Sequence, residues 1–129
     1  RRLKHGDRIS LGGSELTVQL MPGHTKGSVS YSMTVEEGGR KRSVLIVNMP
    51  SVVMPLAGNT WYPDIVRDYE STFRLLKNLA PEIWVAGHAS QYDMAKKHQA
   101  GSFVDPQGYQ AAVERFERLF REKLAATGR

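Results

Sequence analysis

Residues Ser14, Glu15, Leu16, Thr17, Val18, Gln19 and Leu20 alternate polar with apolar, and Val29, Tyr31, Met33 and Val35 resume that alternation after the octapeptide Met21-Pro22-Gly23-His24-Thr25-Lys26-Gly27-Ser28. A period of two on both sides of a Pro-Gly bend dictates two half-buried strands joined at their ends, which commits the chain to a sheet. Pro22 fixes φ and removes a donor, while Gly23 and Gly27 permit backbone angles or close approaches that a β-carbon forbids. The bend can therefore aim His24 outward. A single histidine between glycines reads either as a turn residue at a sheet edge or as part of a site, and strand-end loops carry function disproportionately.

The rest of the chain supplies partners for that sheet. Arg8-Ile9-Ser10-Leu11 and the Gly12-Gly13 turn open a β-hairpin with residues 14–20. Residues 28–35 pair through Glu36-Glu37-Gly38-Gly39 with Ser43-Val44-Leu45-Ile46-Val47, a continuous apolar run of the kind found in a strand buried on both faces. That strand ends at Asn48-Met49-Pro50-Ser51, which makes Asn48, Met49 and Ser51 candidates for the cleft that holds His24. Residues 52–62 read as a loop with exposed Trp61 and Tyr62. Pro63 and Asp64 open a helix whose apolar side is Ile65, Val66, Tyr69, Phe73, Leu76 and Leu79. Pro81 closes it, and Glu82-Ile83-Trp84-Val85-Ala86 is a strand running into Gly87-His88. A second Gly-His pair at the end of an apolar strand repeats the geometry of the first.

The remaining histidines read as surface residues, His5 in a turn and His98 in a short lysine-rich helix. Asp105 is a plausible N-cap with Pro106 at the first helical position, and Tyr109, Ala112, Val113, Phe116, Leu119, Phe120 and Leu124 form the apolar side of a terminal helix that frays at Thr127-Gly128-Arg129. With 129 residues, 40% of them hydrophobic, one modest core is the limit. The formal charge of +5 comes from basic residues scattered along the chain and alternating with Glu114, Glu117 and Glu122, so no nucleic-acid partner is expected. No apolar run approaches the roughly 20 residues of a membrane span, and no membrane partner is expected. There is no cysteine, so any metal must be held by histidine or carboxylate.

Pro22-Gly23-His24-Thr25-x-Gly27-Ser28 resembles the second metal-ligand motif of the metallo-β-lactamase superfamily. Ala86-Gly87-His88-Ala89-Ser90-Gln91-Tyr92-Asp93-Met94 and Phe103-Val104-Asp105-Pro106-Gln107-Gly108-Tyr109 are similar to the C-terminal region of subclass B3. The likeness spans nearly the whole chain and implies an α/β fold, the C-terminal half of an αββα sandwich with helices on the outer face of a sheet. It implies two zinc ions per complete enzyme, His24 completing a three-histidine site and His88 belonging to the second ion with an Asp and a His. Asn48-Met49 stands where related enzymes keep a bridging Asp or a Cys ligand, which favours B3, and Ser51 matches a hydroxyl that contacts the substrate carboxylate. The implied activity is metal-assisted hydrolysis of the strained β-lactam amide, in the periplasm or outside the cell.

The family's first motif, His-x-His-x-Asp-His, does not occur in residues 1–129. Each zinc would then keep one of its three protein ligands, so the expectation is that residues 1–129 form the C-terminal part of one domain whose N-terminal half is the missing partner. A natural remnant or a non-catalytic interaction module is the alternative. Another hydrolase of the superfamily, acting on lactones, thioesters or phosphoesters, is the competing enzyme, and Asn48 in place of a bridging Asp argues against most of these.

Overall fold

A computed structural model describes residues 1–127; Gly128 and Arg129, the last two positions of the expected frayed end, lie outside it, and Thr127 closes a helix. Five strands stand side by side in chain order: β1 (Arg8–Leu11), β2 (Ser14–Leu20), β3 (Val29–Glu37), β4 (Arg40–Val47) and β5 (Ile83–Ala86). The first four form an antiparallel meander, and β5 joins β4 in parallel after a crossover through helix α1 (Ile65–Asn78). A single 3-10 turn (Ala89–Gln91), α2 (Met94–Ala100) and α3 (Pro106–Thr127) complete the chain.

The β3–β4 hairpin is longer than its alternation suggests, because the loop is only Gly38-Gly39. Both residues have positive φ, 58° and 77°, and that pair of left-handed conformations matches the twist of two strands paired as far as Glu37 and Arg40. The two glycines make the turn alone, which frees Glu36 and Glu37 to extend β3.

Register sorts the side chains into two faces. Leu45, Val47 and Trp84 share the face covered by α1 and α3, where Ile65, Tyr69, Phe73, Leu76, Tyr109, Val113 and Phe120 complete the apolar core. The rings of Tyr69 and Phe73 pack against Phe120 with centroids 5.1 and 5.7 Å away. The opposite face carries Leu16, Val18, Tyr31, Met33, Val44 and Ile46 in adjoining rows, and of these only Val18 is buried. Here the expectation of a strand buried on both faces fails: Ile46 is 39% exposed, because no described helix covers this side of β4.

Two further side chains depart from their expected setting. Tyr62 is buried rather than exposed, since its hydroxyl donates to Asp68 Oδ2 at 2.7 Å and draws the ring under the loop, whereas Trp61 does stand in solvent. Leu119 lies on the outer flank of α3 and is 47% exposed, because the helix turns Tyr109, Ala112, Val113 and Phe120 to the core, with Phe116 and Leu124 packed at its margin. Asp105 caps α3 as its position suggests, its Oδ1 accepting from Gly108 N–H at 3.1 Å.

Candidate metal centre

Strand direction decides which loops meet. β2 ends where β3 begins, β4 runs against β3 and β5 runs with β4, so the C-terminal ends of β2, β4 and β5 share one edge of the sheet. The loops leaving those ends carry His24, Ser51 and His88, and all three residues line one cleft of about 370 Å³ together with Asn48, Met49 and Gln91. Val29, Tyr31 and Ile46 wall it from the uncovered side of the sheet, and Val47, Ala86 and Gly87 complete its lining. A larger groove of about 680 Å³ lies along Thr17, Ser32, Thr34 and Ser43, remote from both Gly-His loops and without an imidazole.

His24 is half-buried and fixed. Its Nδ1 lies 2.8 Å from the Ser51 main-chain oxygen and 3.2 Å from Ser51 Oγ. A carbonyl oxygen only accepts, so the neutral imidazole carries its proton on Nδ1 and keeps the Nε2 lone pair. No described residue hydrogen-bonds Nε2. That is the state in which a histidine ligates a metal, with the other nitrogen donating to an orienting oxygen.

The loop around His24 is tied to its surroundings by polar atoms beneath it. Thr72 Oγ1 donates to the Pro22 carbonyl at 2.6 Å, and Tyr69 donates to the Ser51 carbonyl at 2.8 Å. Ser30, fully buried, donates to Met21 Sδ at 3.0 Å and accepts from Asn48 N–H at 2.9 Å, so one hydroxyl joins the two loops. Gly23 has φ of 139°, and a β-carbon there would sit 2.9 Å from the Tyr69 ring. Only glycine allows the chain to pass this close to the helix.

His88 is exposed and enters the 3-10 turn in an extended conformation, its carbonyl accepting from Gln91 N–H at 3.0 Å. His5 and His98 stay outside the cleft. His5 Nδ1 accepts from Leu20 N–H at 3.1 Å, and His98 lies beside Glu37 and Arg42 at the far end of the sheet. The donors in the cleft suit zinc in kind, one imidazole from each of the two Gly-His loops. In number they fall short: among the described residues no three His, Cys, Asp or Glu side chains gather as a metal site, whereas a catalytic zinc takes about three protein ligands.

The residues expected from the sequence, His24, His88 and Ser51, line this one cleft, while Tyr69, Thr72 and Ser30, which hold the loops of His24 and Ser51, were not anticipated. Tyr69 and Phe73 read alike as members of an apolar helix side. The one available signal is that a buried tyrosine hydroxyl needs a partner.

No family model matches the chain. Among solved structures, the metallo-β-lactamase GOB-18 from Elizabethkingia meningoseptica is 40% identical with a TM-score of 0.88, the alignment covering 96% of this chain and 49% of that one. The class B3 di-zinc enzyme LRA-12 from an Alaskan soil metagenome is 37% identical with a TM-score of 0.89, over 96% of this chain and 50% of its own. BJP-1 of Bradyrhizobium japonicum, a subclass B3 enzyme, is 30% identical with a TM-score of 0.88, over 98% and 50%. Fold and sequence together place the chain among the metallo-β-lactamases. It spans about half the length of the solved relatives it matches, and within the family its likeness is to the C-terminal half of subclass B3.

Proposed function

We propose that this chain supplies one ligand to each of two zinc ions, His24 to one and His88 to the other, in an enzyme that hydrolyses β-lactams. The observation that carries this reading is the convergence of His24, His88 and Ser51, from three separate loops, on one cleft at the edge of the sheet. An N-terminal half bearing His-x-His-x-Asp-His supplies the other ligands and covers the open apolar face, and the complete enzyme works in the periplasm or outside the cell. Zinc, when bound, supplies Lewis acidity and lowers the pKa of water toward about 7. The chain's own contribution is positional. Ser51 O–H is not consumed by His24, whose Nδ1 is itself the donor, so the hydroxyl proton is free to bind the substrate carboxylate.

Ligand arithmetic sets the test. The purified 129-residue chain should bind zinc weakly and leave a chromogenic cephalosporin intact. Mixing it with an N-terminal half that carries the motif should restore hydrolysis, and His24→Ala and His88→Ala should each remove about one zinc equivalent from the restored enzyme, since each ion loses a ligand. Zinc-dependent hydrolysis by the chain alone, abolished by His24→Ala, overturns this reading.

A further inference from the structure

The Ser51 carbonyl receives two donors: His24 Nδ1–H at 2.8 Å and Tyr69 O–H at 2.8 Å. A carbonyl oxygen has two lone pairs, and this one spends both inside the protein. Tyr69 belongs to α1, is fully buried, and its ring lies directly under Gly23, the residue before the histidine. One side chain therefore supports the metal loop from below and holds the oxygen that orients the imidazole. We propose that Tyr69 is a positioning residue of the metal centre, acting through the Ser51 carbonyl to hold His24 in its Nδ1–H form with Nε2 free for zinc.

The ring and the hydroxyl do separable work. The ring's contact with Gly23 sets the height of the loop, and phenylalanine would keep it. The hydroxyl fixes the direction of the Ser51 carbonyl, alongside the turn in which Ser51 N–H donates to the Met49 carbonyl at 2.9 Å. Burial raises the Tyr69 phenol to about 12, so it remains a donor through the neutral range. Thr72, one helical turn further on, donates to the Pro22 carbonyl and keeps the loop from sliding along the helix. Ring orientation matters to a ligand because a hydrogen-bonded imidazole meets the metal without first losing rotational freedom.

This inference rests on His24 being a zinc ligand, and the experiment separates the two claims. Tyr69→Phe removes the hydroxyl and keeps the ring. Tyr109→Phe is the matched control, because Tyr109 is equally buried and donates to a backbone carbonyl, Leu76 O, at 2.6 Å, remote from the cleft. In the zinc-free chain, long-range proton–nitrogen correlation spectra should show His24 in the Nδ1–H form with a slowly exchanging proton. Tyr69→Phe should speed that exchange and mix the tautomers, while Tyr109→Phe leaves the signal as in the parent. After reconstitution with an N-terminal half, competition with a chelating dye should show zinc bound about 10-fold more weakly in Tyr69→Phe and unchanged in Tyr109→Phe. A parent His24 in the Nε2–H form, or a Tyr69→Phe variant matching Tyr109→Phe in spectrum or in zinc affinity, overturns the proposal. A chain whose spectra behave as described yet takes up no zinc on reconstitution overturns the ligand assignment and leaves the Tyr69 geometry standing.

Discussion

Ser51 serves the cleft through two different atoms, and substitution can separate them. Its main-chain oxygen orients His24, while its side-chain oxygen, 3.2 Å from the same nitrogen, is left able to donate. Ser51→Ala keeps the carbonyl and removes only the hydroxyl. In the complete enzyme it should therefore raise KM more than it lowers kcat, by roughly 1–2 kcal/mol as for a hydrogen bond to a charged group, with zinc content unchanged. A fall in kcat at constant KM, read by steady-state kinetics on a cephalosporin, would sink the carboxylate role. Residue-scale legibility followed chemistry: His24 and His88 stood out because two Gly-His pairs each end an apolar strand. The hydroxyls of Tyr69 and Ser30 did not, since what they touch is decided by register and by a crossover helix that no local pattern encodes.

Among the elements, α2 and α3 are locked by one charged group. Lys97, 8% exposed, sits with its ammonium 4.3 Å from the Trp84 ring centre and 3.0 Å from Asp105 Oδ2, while Trp84 Nε1 donates to the Asp105 carbonyl at 3.0 Å. Burial pushes the Asp105 carboxyl up, but Lys97 and the Gly108 N–H outweigh it and hold it below the ordinary range. A carboxyl lowered on folding stabilises the fold above its unfolded pKa, near 3.9, and that contribution is lost as pH falls through the folded value. Asp105→Asn should consequently lower the urea midpoint at pH 7 and flatten its decline below about pH 4. An unchanged acid limb would show that the pair contributes nothing. The elements themselves were legible almost throughout, from alternation, caps and prolines. β4 was misjudged because an apolar run cannot say what covers each of its faces, and Tyr62 because its buried setting depends on Asp68 in the next helix.

For the molecule as a whole, the uncovered sheet face sets behaviour in solution. Tyr31, Met33, Val44 and Ile46 form a contiguous apolar surface, and surfaces of this kind promote association. Met33→Lys should make the isolated chain more monodisperse in sedimentation without altering its circular dichroism, and should weaken its union with an N-terminal half. Unimpaired reconstitution by this variant would remove that face from the contact. The cleft with His24 and His88 is bounded on one side by Tyr31 and Ile46, members of the same surface. On the proposed reading, whatever completes the ligand set would also seat against that surface, which would make the ion and the covering half mutual effectors. Each tightens the binding of the other by the same factor, so when the two halves are supplied as separate chains, a chelator should weaken their association as well as abolish turnover.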